Sequence, residues 1–395
     1  MAIERETNPD GDDAYVVTRE HGSTELIDAI APEWTALCAE GPCDEPFYSP
    51  AWARAYVAAF DPQAAITLIT VRQHGALRAA LPLTERSVGI GPLRLRWLRS
   101  AANTHFPRFD VIHGAGDLER VTQAIWDHLR SWPDWDIVQF DSAPDTGVAW
   151  RLLELAGADG HATRHHRPDA CPYVDVTQFP RGVDEIVTTR PIKLRSQLRR
   201  SLKRLRGLGE VRFRIVDSSH PPEEIQDAVD ALYRQEASGW KGEADTAILS
   251  DPATKAFYDL IVADAQKAGS LAVYQLWCDD ALVAAKLEVV HNGTTYELKS
   301  SYDESYSKSS PGHLIKAWSL AAAPDLGVSV LDNCGRSDAH KLAWTDLARP
   351  FAACFVFNRT RRGRLAWTAL FQAGPVLRQR LARYPIPTFV KRILD

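Results

Sequence analysis

The sequence has no CxxC pair, and its twelve histidines show no HExxH-like or clustered spacing, so no metal site is expected. Six cysteines (Cys38, Cys43, Cys171, Cys278, Cys334 and Cys354) without a pairing pattern read as free thiols in a reducing compartment. There is no apolar run of about 18 residues, which excludes a spanning helix. The start, MAIERETNPDGDDAY, lacks both a basic n-region and an apolar h-region, so it does not read as a secretory signal. Strong charge of either sign is missing as well. A net charge of −5 argues against coating by nucleic acid and confines any anion-binding surface to a local patch. Together these absences predict a soluble, cytoplasmic protein.

What is present suits two domains. The chain has 395 residues, with 45% hydrophobic and 25% charged, enough for sizeable cores. Residues 1–14, rich in Asp, Gly, Asn and Pro, read as disordered. STELIDAIAPEWTALCAE has helical spacing at Leu26, Ile30, Trp34 and Leu37. FYSPAWARAYVAAF is a second helix, with Ser49 as N-cap and Pro50 in its first position. AITLITVRQHG and ALRAALPLTER alternate about a His-Gly turn, a hairpin signal. The later strands SLAVYQLWCDD, ALVAAKLEVVHNG and TTYELKSSYD are joined by Asp-Asp and Asn-Gly turns.

GALRAALPL, from Gly75, and DALVAAKLE, from Asp280, share the pattern Ala-Leu-x-Ala-Ala-x-Leu after a tight turn. The helices and strands around them also follow one order. The chain therefore reads as a duplicated α/β (α+β) protein. Its first domain spans residues 15–178 and its second residues 179–358, followed by a basic helical segment, 359–395.

The stretch YELKSSYDESYSKSSPGHLIKAWSL passes from a strand through a hydroxyl-rich loop into a helix opened by Pro311 and Gly312. Such a start either caps the helix or exposes its N-terminus to a phosphate. PIKLRSQLRRSLKRLRGLG places Arg190, Lys193, Arg195, Arg199, Arg200, Lys203, Arg204 and Arg206 around a stripe of Leu194, Leu198, Leu202 and Leu205. Its basic face is either solvated or aimed at a phosphorylated ligand. No aromatic residues interleave it, which argues against stacked bases.

In their order and spacing, FYSPAWARAY, HGALRAALPL, RRSLKRLRGLGEVRF, EASGWKGEADTAI, YDESYSKSSPGHLI and LDNCGRSDAHKLAWT resemble the CelD-like group of GNAT-fold acyltransferases, related to the FemAB transferases. The resemblance covers most of Phe47 to Thr345. It implies two tandem GNAT-like domains, each a mixed and mostly antiparallel sheet flanked by helices. It also implies N-acyl transfer to a primary amine on a small molecule or peptide, with acyl-coenzyme A as donor and no metal. Some FemAB relatives use aminoacyl-tRNA and carry a long coiled coil; no extended heptad pattern occurs here, which favours coenzyme A. A non-catalytic binding protein on the same scaffold is the alternative from another class.

On that resemblance, the strand before the donor site parts from its neighbour and offers backbone to pantetheine. Ser300, Ser301 and Tyr302 would lie there, with strand amides near Ser300 and Ser301 holding the oxyanion. Ser309, Ser310, Gly312 and His313 would hold the pyrophosphate, and Arg199 and Lys203 the 3′-phosphate. The usual GNAT phosphate loop is richer in Gly and Arg than this one. Trp240, Lys241 and Tyr306 are the acceptor-side candidates, Lys241 for an acceptor carboxylate or the oxyanion. Amide formation needs the amine deprotonated. Asp332 is the first candidate for the base, His340 the second and Glu297 the third, while Lys341 binds an anionic group or orients Asp332. Asp332 reads equally well as a cap, the Trp240 segment as a loop anchored by a buried ring, and Cys334 as inert. The first domain, lacking the Ser-Pro-Gly loop, would serve the acceptor. The C-terminal RTRRGRLAWTALFQAGPVLRQRLARYPIPTFVKRILD either docks on its own domain or touches an anionic membrane surface.

Overall fold

The computed structural model describes residues 3–7, 14–62, 65–89, 94–116, 118–132, 134–189 and 192–373. The chain divides into two compact units, one of residues 1–53, 63–168 and 351–395, the other of residues 54–62 and 169–350.

In the first unit the strands are β1 (Ile3–Thr7), β2 (Val16–Gly22), β3 (Ile66–Gln73), β4 (Ala76–Val88), β5 (Leu95–Ser100), β6 (Ile112–His113) and β7 (Ile137–Pro144). They run in the order β1-β2-β3-β4-β5-β7, with β6 on β4 and the strand Ala348–Phe357 beyond β7. Among the described pairings of this unit, β5 and β7 are the parallel one. The helices are α1 (Glu25–Ala39), α3 (Leu118–Ser131) and α4 (Val148–Ala158), while α2 (Pro50–Phe60) begins in this unit and runs into the other from residue 54. The apolar spacing of α1 turns Ile27, Ile30, Trp34 and Leu37 inward, as its sequence dictates. Ser49 caps α2, its Oγ accepting the Trp52 amide at 3.2 Å. The segment expected to be disordered contains β1, which pairs with β2 from Ile3↔Glu20 to Thr7↔Val16. Residues 8–13 lie outside the described residues.

The helix Arg361–Trp367 packs on this unit's own sheet, with Trp367 and Phe371 against Trp97, Ile137, Phe355 and Phe357. The remainder of the proposed membrane-contacting segment, 374–395, lies outside the described residues. Among those described, no helix is long and apolar enough to cross a membrane.

The second unit is built from β8 (Ala162–Asp175), β9 (Val211–Asp217), β10 (Leu271–Cys278), β11 (Ala281–His291), β12 (Thr294–Tyr302) and β13 (Val330–Asp332). Their order is β8-β13-β12-β11-β10-β9, antiparallel throughout except for β12 and β13. The helices are α5 (Val183–Thr189), α6 (Ile192–Arg206), α7 (Pro222–Ser238), α8 (Trp240–Glu243), α9 (Pro252–Lys267), α10 (Pro311–Ala322) and α11 (Ala339–Leu342). Leu194, Leu198, Leu202 and Leu205 of α6 and Leu314, Ile315 and Leu320 of α10 form one core with β10 and β11. The leucine stripe read from the sequence is that buried face; Arg190 lies outside the described residues. The Asn-Gly turn between β11 and β12 holds Asn292 at φ 44° and Gly293 at φ 71°, the left-handed backbone such hairpins require.

Candidate active site

The sheet of the second unit opens at one place. β12 and β13 pair only from Thr294↔Val330 to Tyr296↔Asp332, whereas β12 runs on to Tyr302 against β11. Asn333 turns the chain away. Its amide and its Nδ2 both donate to the Pro172 carbonyl, at 3.1 and 2.8 Å. From Glu297 onward, β12 therefore keeps one edge that β13 does not cover. Ser300, Ser301 and Tyr302 lie on this stretch, as expected, and all three are half-buried.

Beyond Tyr302 the hydroxyl-rich segment folds as a 3₁₀ turn, Glu304–Ser309, where a loop was expected. Ser310 follows at φ 45° and ψ 53°, and α10 begins at Pro311. Such backbone in a non-glycine residue is strained and needs support from its neighbours. That support comes from α6: Gln197 Nε2 donates to Ser310 Oγ at 3.3 Å, and Arg204 Nη1 donates to the Lys308 carbonyl. Ser309 is buried. Both hydroxyls expected to meet a phosphate are thus turned into the protein. Tyr306 packs on the core with Tyr302 rather than standing in an acceptor pocket. On α6, Arg199 and Lys203 are exposed. The side that meets the turn carries Gln197, Arg200 and Arg204 instead, by their i, i+3, i+7 spacing.

Beneath the opening lies a buried charge cluster. Lys316 of α10 donates to Glu297 Oε2 at 2.6 Å and to Asn333 Oδ1. Lys286 of β11 pairs with Glu288, with Glu297 at 2.9 Å, and with Ser319 Oγ at 3.1 Å. Thr295 Oγ1 donates to Glu288 at 2.7 Å. The two lysines and two glutamates balance. Burial alone would raise the Glu297 carboxyl, but Lys286 and Lys316 outweigh it and hold it well below the usual range. So firmly ionised a carboxylate is a poor proton acceptor, which removes Glu297 from the candidate bases.

Asp332 is 0% exposed. One oxygen accepts from the Cys334 amide at 2.9 Å and from Cys171 Sγ at 3.1 Å, the other from Arg349 Nη1 at 2.8 Å. These contacts hold the β13 turn, and the carboxylate is committed to them. Lys341 does not hold Asp332. It donates to the carbonyls of Cys334 and Arg336 at 2.7 and 2.8 Å, tying down the same turn. Cys334 is buried, as are the other five free cysteines.

His340 has a different setting. Its ring stacks on that of His313 with centroids 4.1 Å apart, and its Nε2 is enclosed without a hydrogen-bond partner. A Cβ added to Gly312 would stand 3.3 Å from that nitrogen, a tight contact that the ring would have to relieve by shifting. Burial and then Lys316 push the His340 pKa down. Burial, His340 and Lys316 push that of His313 down to about 4. Both rings are consequently neutral near pH 7. Trp344 Nε1 donates to His313 Nδ1 at 3.1 Å, which puts the His313 proton on Nε2.

Lys241 donates to the Ser300 carbonyl at 2.9 Å and to buried Glu236 at 2.7 Å. Lys299 approaches the same carboxylate at 3.8 Å and lies over the Tyr258 ring. The EASGWKG segment holds the end of α7, a break at Gly239 and the start of the short helix α8, and Trp240 on it is 55% exposed rather than a buried anchor. Glu304 accepts the Trp240 amide at 2.7 Å, linking α8 to the 3₁₀ turn.

The sequence reading missed Lys286, Lys316, Asn333, Arg349 and Glu236. A signal for Lys316 was available: it interrupts the apolar spacing Leu314, Ile315, Ala317, Leu320 on α10, where a lysine is buried only if paired. Arg349 carries no such mark, since its partner is 17 residues away.

Residues 193–342 match the family model described as an acetyltransferase (GNAT) domain. No curated protein matches the chain. Among solved structures, that of FemX is similar over 90% of this chain and 100% of its own, with a TM-score of 0.53 and 10% identity. A conserved protein of unknown function from Bacteroides thetaiotaomicron VPI-5482 is similar over 84% of this chain and 97% of its own, with a TM-score of 0.52 and 11% identity. A tandem GNAT protein from the clavulanic acid biosynthesis pathway, at 16% identity, covers 87% of this chain and 99% of its own with a TM-score of 0.47. The first two likenesses establish the fold over both units. Residues 193–342 thus match a GNAT acetyltransferase domain, and the fold over both units is like that of FemX.

Proposed function

We propose that the protein transfers an acyl group from acyl-coenzyme A to a primary amine by direct attack, using the open edge of β12 as the donor site. The observation that carries this reading is the parting of β12 from β13 after Tyr296, directly before the turn that leads into α10. An extended pantetheine arm pairs with a free strand edge as another strand would. Its phosphates then fall toward the α10 start and the Arg200–Arg204 side of α6, where positive charge and helix dipole coincide.

The chemistry follows from the residues nearby. The amine must lose a proton as it attacks the thioester carbonyl. Neutral His340 takes that proton and, as the tetrahedral intermediate collapses and the C–S bond breaks, gives it to the departing coenzyme A thiolate; no covalent enzyme intermediate forms. Of the three N–H groups of Lys241, two are engaged by Glu236 and Ser300. The third is left for the oxyanion. Exposed Trp240 offers a ring for the acceptor to lie against.

Calorimetric titration of coenzyme A and acetyl-coenzyme A into the wild type and a Gly312→Val variant tests the donor site. Micromolar binding that the variant loses supports it. Absence of binding to the wild type would sink the acyl-coenzyme A reading. The exposed basic face of α6 (Arg199, Arg200, Lys203, Arg204, Arg206) favours one second reading, an aminoacyl-tRNA donor. It would show as tRNA affinity falling steeply with salt.

A further inference from the structure

The two hairpins that carry the internal repeat are bulged at the same position. Between β10 and β11 the register passes from Leu276↔Ala284 to Trp277↔Leu282, which leaves Val283 as the extra residue. Between β3 and β4 it passes from Val71↔Ala79 to Arg72↔Leu77, which leaves Arg78. Aligned on their Ala-Leu-x-Ala-Ala pattern, the two residues correspond. A bulge swings its extra residue off the ladder and re-aims the side chain. In the second unit that residue fills the core, Val283 being 0% exposed. In the first unit the same device sets a guanidinium into a cleft.

Arg78 is half-buried, and its Nε is enclosed with no hydrogen-bond acceptor. An enclosed charged donor without an acceptor costs free energy that a valine would not. The cleft it lines has a volume of about 330 Å³, in the range of small-ligand sites. The β4–β6 register, Ala79↔His113, brings Arg78 opposite Gly114. His113 Nδ1 donates to the Gly114 carbonyl at 2.9 Å and holds this turn. A Cβ at Gly116 would meet nothing within 4 Å, so that wall stands open. Arg120, in the first turn of α3, lines the same space with its guanidinium over Tyr15. Among the described residues, Glu40 contributes the one carboxylate that lines it, beside two guanidiniums and the positive end of a 14-residue helix.

We propose that this cleft binds a small oxyanion group, a carboxylate or phosphate, with Arg78 as its principal donor. It is separate from the donor site of the second unit and does not depend on it. A planar guanidinium presents paired donors that match either group.

Inorganic phosphate and succinate, each titrated calorimetrically at fixed ionic strength into the full chain, test the assignment. The variants are Arg78→Val, which installs the second unit's residue, and Gly312→Val. Saturable binding of either anion to the wild type, about ten-fold or more weaker in Arg78→Val and unchanged in Gly312→Val, supports it; the stronger anion identifies the group. Equal binding in Arg78→Val and wild type overturns the proposal, as does no saturable heat from either anion. Should Arg78→Val fail to fold, Arg78→Gln keeps the side-chain length, removes the charge and must meet the same criterion.

Discussion

The imidazoles of His313 and His340 lie stacked with centroids 4.1 Å apart and planes 29° from parallel, with Trp344 donating to one of them at 3.1 Å. The stack holds only while both rings are neutral. Burial first, then His340 and Lys316, hold His313 down to about 4, below the usual 6.5 of histidine. The unfolded chain therefore binds more protons than the folded one between those two values. Stability is full above about pH 6.5 and falls as pH drops toward about 4, by on the order of 2 kcal/mol from His313. Denaturant midpoints measured from pH 7 to 4.5 check this. The acid loss is shallower in His313→Gln; an identical loss in both proteins contradicts it.

The two remaining candidates for the base separate by substitution. His340→Gln keeps the ring's approximate volume but removes the proton acceptor, and kcat falls by roughly 10²–10⁴-fold. Asp332→Asn leaves the amide and thiol donors partly satisfied but strands the Arg349 charge. It destabilises by about 1–3 kcal/mol, with kcat of the folded protein largely kept. Paired measurements of kcat and melting temperature on both variants decide. A catalytic collapse in folded Asp332→Asn would return the proton to Asp332.

Lys316→Met leaves Glu297 with Lys286 alone, and the buried cluster carries a net negative charge. The cost is about 3–5 kcal/mol. Adding Glu297→Gln restores balance and recovers part of it, which a double-mutant cycle by urea unfolding measures. Additive losses would mean that the two groups do not act as a pair.

Gly312→Ala brings a methyl group to within 3.3 Å of His340 Nε2. The ring must give way, so turnover drops while the melting temperature changes little. Steady-state kinetics beside a thermal melt show whether Gly312 is present for the approach of His340 or for helix geometry alone.

How much was legible depended on the distance over which each feature is specified. The hairpins, the α6 leucine stripe and the α2 cap are local patterns, written in side-chain period and turn chemistry within a dozen residues. The duplicated hairpin was legible too, though not its bulge, because a bulge is a mismatch between two strands and has no signature in either one. The Ser-Ser-Pro-Gly stretch was correctly read as the mouth of a helix. Its hydroxyls were misread as outward donors, since Gln197 and Arg204 of another helix turn that segment into the protein.

The amino-acid sequence alone determined the order of elements, their amphipathic faces and the duplication, because these follow from nearest-neighbour sterics and the burial of apolar side chains. Only the tertiary structure decided which ionisable groups are spent and which remain. Asp332 met Arg349 and Cys171, Glu297 met Lys286 and Lys316, and Lys341 met two carbonyls. His340 Nε2 and Arg78 Nε were enclosed without a partner. A carboxylate and an imidazole look equally reactive in a string of letters. Their chemistry is set by desolvation and by the charges within a few ångströms, and those neighbours arrive through the fold.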